Sequence, residues 1–213
     1  MPNLEFEHAM AAELGSSAVA GVDEVGRGPW AGPVVACAVL LPDVTAPDGG
    51  LTAQLFDMLD DSKRLSEARR ETLEKALKDH VAFGFGEATV DEIDRLNILQ
   101  ASLLAMRRAV AALPRPAAGA LVDGNRDPGL GIPTGLIVKG DSRSASVAAA
   151  SILAKVRRDR LMCALDREFP EYAWAQNKGY GTKAHQQGLA EVGICEHHRK
   201  SFAPIRTHLD RAG

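Results

Sequence analysis

Two adjacent carboxylates interrupt a long apolar stretch near the N-terminus, and these residues are well suited to chemistry. The stretch covers residues 18–37, with the sequence AVAGVDEVGRGPWAGPVVAC. Asp23 and Glu24 lie between two apolar runs, and Gly26 and Gly28 follow them closely. Carboxylates in such a setting are typical of a site for a positively charged group, and glycines allow a partner to approach the backbone. The segment therefore predicts a cation site beside accessible main chain.

Two more acids follow apolar runs that predict short strands. Asp123 comes after residues 119–122, and Asp141 comes after residues 135–138. Because strands of one sheet can bring their ends together, these acids and the first pair can form a site of four carboxylates. So much negative charge requires a bound cation or a shared proton. Oxygen ligands without a neighbouring cluster of His or Cys favour Mg²⁺ or Mn²⁺ over Zn²⁺.

This interpretation has one geometric difficulty and one simpler alternative. Neighbouring residues on a regular strand point to opposite faces. Asp23 and Glu24 can therefore share a site only if the strand ends or bulges there, or if two metals lie apart. Gly26 favours such a departure from regular geometry. The simpler alternative is that all of these acids are ordinary solvated side chains.

The apolar patterns predict a single α/β domain over residues 1–213, with a sheet core at about 17–145 and a mainly helical part at about 146–213. The tight Gly- and Pro-containing connection after the first strand predicts that the first two strands are antiparallel. The predicted strands span residues 17–25, 33–41, 81–89, 119–122 and 135–138. The main predicted helices span about 51–60, 67–80, 98–113, 142–169 and 183–191, and a basic tail follows the last of them.

Composition excludes several classes of protein. The chain has 213 residues, of which 46% are hydrophobic, so a sizeable core is expected. No run of apolar residues is long enough for a transmembrane helix, and the N-terminus lacks the basic region of a secretory signal. Three widely spaced cysteines indicate reduced thiols and a cytoplasmic location. The net charge of −3 confines any nucleic-acid binding to local clusters of Lys and Arg.

Six segments resemble, in order and spacing, the motifs of type 2 ribonuclease H, the ribonuclease HII family. They are GVDEVGRGPWAGPVVA, DSKRLS, LVDGN, VKGDSRSASVAAASILAKVRRDR, NKGYGT and HRKSFAP, within about residues 17–206. The resemblance implies a ribonuclease H-like fold, with a central five-stranded mixed sheet flanked by helices and a C-terminal helical region. It implies endonucleolytic hydrolysis of RNA in RNA–DNA hybrids and nicking 5′ of single ribonucleotides embedded in duplex DNA. It also implies that Asp23, Glu24, Asp123 and Asp141 are the catalytic acids and the ligands of Mn²⁺ or Mg²⁺.

Hydrolysis of a phosphodiester needs an attacking water and stabilisation of charge on the phosphoryl oxygens, which two divalent ions about 4 Å apart can provide. In-line attack would leave 5′-phosphate and 3′-hydroxyl ends, as in similar enzymes. To distinguish RNA from DNA, the protein must detect a 2′-hydroxyl. Gly26, Arg27 and Gly28 are the candidates, since glycines let the main chain approach a sugar, although a plain tight turn is the alternative. Tyr180 is expected to stack on a sugar or base, as the family suggests.

Phosphate contacts are expected from basic and hydroxyl side chains. The strongest candidates lie within motifs: Lys63 and Arg64 in DSKRLS, and Lys178 in NKGYGT. Each of these side chains could also be an ordinary solvated charge. The full set of candidates is Lys63, Arg64, Lys139, Ser142, Arg143, Lys178, Lys183, Arg199 and Lys200.

Other polar residues of the C-terminal part are given no chemical role. Three arginines are expected on a solvated face of the long helix, with Asp159 pairing locally: Arg157, Arg158 and Arg160. Three histidines are expected at the surface or bonded to backbone, and not as general acids or proton shuttles: His185, His197 and His198.

Two other functions fit parts of the pattern. A resolvase- or integrase-like nuclease can share an acid-lined fold, and it would cut branched or all-DNA substrates without needing a 2′-hydroxyl. A non-catalytic nucleic-acid-binding module would bind in EDTA and release no products, but its clustered acids would repel phosphates. The expected partners are RNA–DNA hybrids and ribonucleotide-containing duplex DNA. No membrane and no obligate protein partner are expected, and a monomer is the default.

Overall fold

The computed structural model describes residues 2–61 and 66–212. In this part of the chain, five strands form one mixed sheet in the order β3-β2-β1-β4-β5. The strands are β1 (Val19–Val25), β2 (Val34–Leu40), β3 (Ala82–Ala88), β4 (Gly119–Asp123) and β5 (Thr134–Ile137). β2 is antiparallel to both β1 and β3, whereas β4 is parallel to both β1 and β5. The expected five-stranded mixed sheet and the antiparallel first pair of strands are confirmed.

Helices surround this sheet, and polar side chains begin several of them. Ser66, Asn97 and Ser144 accept hydrogen bonds from the first turns of α3, α5 and α6, and α3 and α5 begin at residues 67 and 98 as predicted. The helices are α1 (Glu5–Leu14), α2 (Ala53–Asp57), α3 (Glu67–His80), α4 (Val90–Leu96), α5 (Ile98–Ala111), α6 (Ala145–Glu168), α7 (Trp174–Asn177), α8 (Lys183–Val192) and α9 (Ala203–Ala212). Short 3-10 helices cover Met58–Asp61, Gly140–Ser142 and Pro170–Tyr172.

Helices α5 and α6 cover opposite faces of the sheet. The Ala-rich first half of α6 packs on β1 and β2, and α5 packs on β1, β2 and β3. The packing against α5 is so close that a Cβ added to Gly86 would lie 2.1 Å from the carbonyl oxygen of Ala105. Small residues on both sides of the sheet therefore let long helices approach the backbone that carries the acids.

The C-terminal part packs a separate cluster beside the sheet. Trp174 and Ile205 are fully buried there, together with Met162 of α6. The prediction that residues 183–191 form the final helix is wrong, because α9 follows. Pro204 lies in the first turn of α9, where its missing N–H removes no helical hydrogen bond. No helix of the described residues is long and apolar enough to cross a membrane.

Candidate active site

The acid site lies where the parallel strands β1 and β4 end side by side. Their register pairs Val22 with Val122, so Asp23 and Asp123 are the next residues on the two strands. One carboxylate oxygen from each of these acids and one from Glu24 lie within 4.8 Å of one another. The structure therefore brings three of the four predicted acids into one cluster.

Asp23 and Glu24 share this cluster although they belong to opposite faces of β1. Asp23 pairs with Cys37, which is part of the core beneath α6, and Glu24 pairs with Ala36, which is part of the core beneath α5. Because β4 ends at Asp123, no paired strand continues beside Glu24 on that side. The longer side chain of Glu24 can then reach around the strand end. The strand that carries the pair does not itself end there, since β1 stays paired with β2 as far as Val25; it is the neighbouring β4 that ends.

Asp141 reaches the site from a turn and not from the end of a strand. β5 ends at Ile137, and Asp141 lies in the following 3-10 helix, where it is 7% exposed. The N–H of Gly140 donates a 2.6 Å hydrogen bond to Asp123 Oδ1, which joins this turn to β4. All four acids line one cavity of about 350 Å³. The prediction that Asp141 follows directly on a strand is wrong, but its place beside the other acids is as expected.

Three further polar residues that sequence reasoning did not assign to the site also line this cavity: Arg70 of α3, and Ser151 and Lys155 of α6. Ser151 and Lys155 are four residues apart on a helix and therefore share one face, which was the available signal. Lys155 Nζ also donates a 2.5 Å hydrogen bond to Asp159 Oδ1. Asp159 thus pairs locally, as predicted.

The acid site is electrostatically costly without a cation. Burial, and then the charges of Glu24 and Asp123, raise the pKa of Asp23 well above its usual range. Burial also raises the pKa of Glu24, an effect that Arg27, 3.3 Å from Glu24 Oε1, partly offsets. Within the described residues, the buried Glu24 Oε2 has no hydrogen-bond partner. A donor set made of oxygens, with one buried oxygen left unpaired, fits a divalent cation such as Mg²⁺ or Mn²⁺.

A buried guanidinium holds the loop that follows the acid pair. Arg199 is 0% exposed and donates to the carbonyl oxygens of Gly26, Arg27 and Gly32 at 2.6 to 3.0 Å. Burial, and then the nearby charge of Arg158, lower the pKa of Arg199 to about 9, so it stays charged at neutral pH. The prediction that Arg199 contacts phosphate is wrong, because its donors are used inside the protein.

Because the carbonyl groups of Gly26 and Arg27 point towards Arg199, the N–H groups of the residues that follow them point away from it. No cis peptide bond occurs in the described residues, and a trans peptide directs its C=O and the next N–H to opposite sides. The N–H groups of Arg27 and Gly28 therefore point away from Arg199. Neither of them donates a hydrogen bond within residues 2–61 and 66–212. Two backbone donors thus lie directly after the acid pair, in the segment where the sequence predicted a contact with ribose.

A second buried guanidinium joins this loop to the loop that bears Tyr180. Arg158 donates to the carbonyl oxygens of Ala31, Pro33 and Lys178 at 2.9 to 3.1 Å. It is 1% exposed, so the predicted solvated position is wrong for this residue. Successive residues on a helix point about 100° apart, which is why Arg158 is buried while the adjacent Arg157 is exposed.

Tyr180 lies against the predicted ribose-recognition segment. Its side chain is 51% exposed, and a Cβ added to Gly28 would lie 3.2 Å from Tyr180 Cε1. The two loops are also joined by the N–H of Trp30, which donates a 2.8 Å hydrogen bond to the carbonyl oxygen of Gly179. The structure therefore brings Gly28 and Tyr180 together, as a shared substrate contact requires.

Among the described residues, none of the predicted phosphate contacts lines the acid cavity. Lys63 and Arg64 lie outside the described residues. Lys178 Nζ donates to a backbone carbonyl at 2.7 Å and does not line the acid cavity. Ser142 is exposed beside Asp141, and its hydroxyl donates to a carbonyl oxygen of the same turn at 2.9 Å. The contacts of these side chains with phosphate stay predictions.

Two histidines are bonded to each other, and one of them contacts the backbone of the loop that bears Tyr180. His185 Nδ1 lies 3.0 Å from the carbonyl oxygen of Tyr180, and His198 Nδ1 accepts a 3.0 Å hydrogen bond from the N–H of Cys195. Because Nδ1 of His198 accepts, its Nε2 carries the proton and donates to Nε2 of His185, 3.0 Å away. Both residues are bonded to backbone, as predicted, but they are fully buried and neither lines the acid cavity. Burial lowers the pKa of His198 to about 3.

The sequence matches one enzyme family over most of its length, since a family model of ribonuclease HII covers residues 20–205. The chain belongs to the ribonuclease HII family. It is 52% identical over 209 residues to the ribonuclease HII of Paramagnetospirillum magneticum, across 98% of this chain and 99% of that relative. The crystal structure of ribonuclease H2 from Pyrococcus horikoshii OT3 superposes with a TM-score of 0.75 at 27% identity, over 91% of this chain and 97% of that one. Bst-RNase HIII in complex with Mn²⁺ shares the fold, with a TM-score of 0.66 at 19% identity, over 91% of this chain and 70% of that one.

Membership of the ribonuclease HII family defines the class of reaction. The protein is a metal-dependent ribonuclease H, an endonuclease that degrades the RNA of RNA–DNA hybrids. Its mixed sheet and flanking helices form the ribonuclease H fold that the resemblance implied. The family decides against a resolvase-like nuclease and against a non-catalytic binding module.

Replacing Arg199 with Lys should destabilise the protein, because an ammonium cannot reach the three carbonyls that the guanidinium holds. Unpaired buried carbonyls should lower the free energy of unfolding, measured by urea denaturation, by about 2 to 4 kcal/mol. The control Arg157→Lys, on the exposed face of α6, should change it by less than about 0.5 kcal/mol. Equal effects of the two substitutions would show that Arg199 does not hold the loop.

The contribution of His198 to stability should fall as the pH is lowered from 6.5 towards 3. His198 has a pKa of about 3 in the folded protein against 6.5 ordinarily, so the unfolded state binds more protons across this interval. The free energy of unfolding of His198→Gln should therefore depend on pH less steeply than that of the wild type, by up to about 1.4 kcal/mol per pH unit. Urea denaturation at a series of pH values measures both slopes, and identical slopes would contradict a buried neutral His198.

Proposed function

We propose that the protein nicks duplex DNA on the 5′ side of a single embedded ribonucleotide, as well as cutting longer hybrids, and that it uses Mg²⁺ or Mn²⁺. The observation that carries this proposal is the convergence of Asp23, Glu24 and Asp123 within 4.8 Å. This cluster is followed directly by a loop that turns two N–H groups outward. The Mn²⁺ held by Bst-RNase HIII supports manganese as one of the two candidates.

The acids that line the cavity are the proposed cation ligands: Asp23, Glu24, Asp123 and Asp141. Bound divalent cations supply positive charge for the phosphoryl oxygens and lower the pKa of an attacking water. Arg70 and Lys155 on the cavity wall add positive charge near the same phosphate. In-line attack by water breaks the bond from phosphorus to the 3′ oxygen and leaves 3′-hydroxyl and 5′-phosphate ends.

The loop after the acid pair is the proposed sensor of ribose. The N–H groups of Arg27 and Gly28 can donate to the oxygen of a 2′-hydroxyl, and Gly28 has no Cβ to obstruct the sugar. A deoxyribose offers no such acceptor and would leave the donors unpaired, which disfavours it. Tyr180, half exposed beside Gly28, is placed to stack on the neighbouring sugar or base.

A pair of matched duplexes tests the substrate. One duplex contains a single ribonucleotide, and its twin is all DNA. In Mg²⁺ or Mn²⁺ the first should be nicked 5′ of the ribonucleotide, with a 3′-hydroxyl on one fragment and a 5′-phosphate on the other. The twin should stay intact, and EDTA should abolish cutting because the acid cluster then lacks its cations. Cleavage of the all-DNA twin at a similar rate, cutting in EDTA, or no cutting at the ribonucleotide would contradict the proposal.

Asp123→Asn tests the acid cluster itself. The amide oxygen can still accept the hydrogen bond from Gly140 N–H, so the fold should be preserved, but one negative charge of the cluster is lost. The single-turnover cleavage rate should fall by roughly 100-fold or more, with a thermal melting curve close to that of the wild type. Asp127→Asn, at an exposed position of the loop that follows Asp123, is the control and should keep full activity. Full activity in the Asp123 variant would remove Asp123 from the site.

A further inference from the structure

A buried carboxylate in the N-terminal helix contacts the start of the longest helix. Glu7 of α1 is 0% exposed. Its Oε1 accepts three hydrogen bonds: from the hydroxyl of Ser144 at 2.6 Å, from the N–H of Ser146 at 2.9 Å and from the hydroxyl of Ser146 at 2.7 Å. Because all three donors are at the N-terminus of α6, where the helix dipole is positive, the carboxylate is well placed to fix this end of the helix.

The same end of α6 is bonded to the turn that carries Asp141. The N–H of Ser144 donates to the carbonyl oxygen of Gly140 at 2.8 Å. Gly140 in turn donates its N–H to Asp123 Oδ1 at 2.6 Å. Hydrogen bonds therefore connect Glu7 through Ser144 and Gly140 to Asp123, and Asp141 is the next residue after Gly140 in the same turn.

The segment before α1 strengthens this connection. Asn3 donates its N–H to the carbonyl oxygen of Arg143 at 3.1 Å and accepts from the N–H of Ala145 at 2.9 Å. It therefore bonds to the backbone on both sides of Ser144. These contacts join the N-terminal segment directly to the residues that separate Asp141 from α6.

The start of α6 also has little freedom to move towards the sheet. A Cβ added to Gly21 of β1 would lie 2.1 Å from the carbonyl carbon of Ser146, so the two backbones are already in close contact. A shift of this helix end must therefore carry Ser144 and the Asp141 turn along the sheet. Such a shift would change the spacing between Asp141 and the acids of β1.

We propose that Glu7 is a positioning residue for the cation site, which sets Asp141 and Asp123 relative to the β1 acids through the N-terminus of α6. Glu7 lies outside residues 20–205, which the family model matches. The inference rests on the proposed role of the four acids as cation ligands. It gives the N-terminal helix α1 a part in metal binding.

Binding of Mn²⁺ to the full-length protein without substrate tests this role, with electron paramagnetic resonance reporting the free ion. In Glu7→Gln the side chain loses its charge, which weakens its hydrogen bonds to the donors of Ser144 and Ser146. The dissociation constant for Mn²⁺ should rise by roughly 10-fold or more, as expected when a group that orients a metal ligand is removed. On the ribonucleotide-containing duplex, kcat should fall while KM stays within about twofold.

Glu92→Gln is the matched control. Glu92 is also a carboxylate that fixes a helix start, through its bonds to Arg108 and to the N–H of Thr89, but it does not line the acid cavity. This variant should lose stability and keep the wild-type affinity for Mn²⁺. Ser146→Ala, which removes one donor to Glu7, provides a second and milder variant in case Glu7→Gln fails to fold, and it should weaken Mn²⁺ binding by a smaller factor.

The outcomes separate this inference from the proposed function. Wild-type protein that binds Mn²⁺, together with Glu7→Gln or Ser146→Ala variants that bind it equally tightly, would overturn the role of Glu7 alone. Equal weakening in Glu92→Gln would also overturn it, since the effect would then follow from lost stability. Wild-type protein that binds no Mn²⁺ would overturn the proposed cation site, and this inference with it.

Discussion

Crowding of negative charge at the ends of two parallel strands is the constraint on which the rest of this structure depends. The register of β1 and β4 places Asp23 beside Asp123, and the end of β4 lets Glu24 join them. Burial raises the pKa of Asp23 and of Glu24, so the acids can be ionised together only where a cation offsets their charge. A backbone that keeps these groups close must therefore be held firmly by other parts of the chain.

Distant residues provide that support through the main chain. Arg199 bonds to Gly26, 173 positions away in the sequence, and Arg158 bonds to Pro33 and to the Tyr180 loop. Both guanidiniums are buried, and they donate to backbone carbonyl oxygens, which satisfy them by geometry more than by opposite charge. The C-terminal helical part is consequently not an appendage to the sheet. It shapes the loop that follows the acid pair.

The periodicity of the apolar residues and the starts of the helices could be predicted from the sequence, because both depend on residues that are close together along the chain. The strands, the helix starts at Ser66 and Asn97, and the three clustered acids all follow from neighbouring residues. The burial of Arg158 could not be predicted, because the adjacent Arg157 has the same side chain. The two differ only in their distant partners, which are backbone carbonyls for Arg158 and the Glu87 carboxylate for Arg157. The same holds for Arg199, which lies in a basic segment typical of a solvated tail. The turn that holds Asp141 is fixed by the hydrogen bond from the adjacent Gly140 to Asp123. Such a contact between residues far apart in the sequence leaves no local pattern from which it could be predicted.

A crystal structure of the protein grown with Mn²⁺, with anomalous scattering recorded to locate the metal, tests the central claim most directly. The account predicts anomalous density in the acid cavity, bound by carboxylate oxygens of Asp23, Glu24, Asp123 and Asp141. It also predicts that β1, β4 and the Asp141 turn keep their present arrangement. Anomalous density found only elsewhere on the protein, with these four carboxylates bound to side-chain cations, would contradict it.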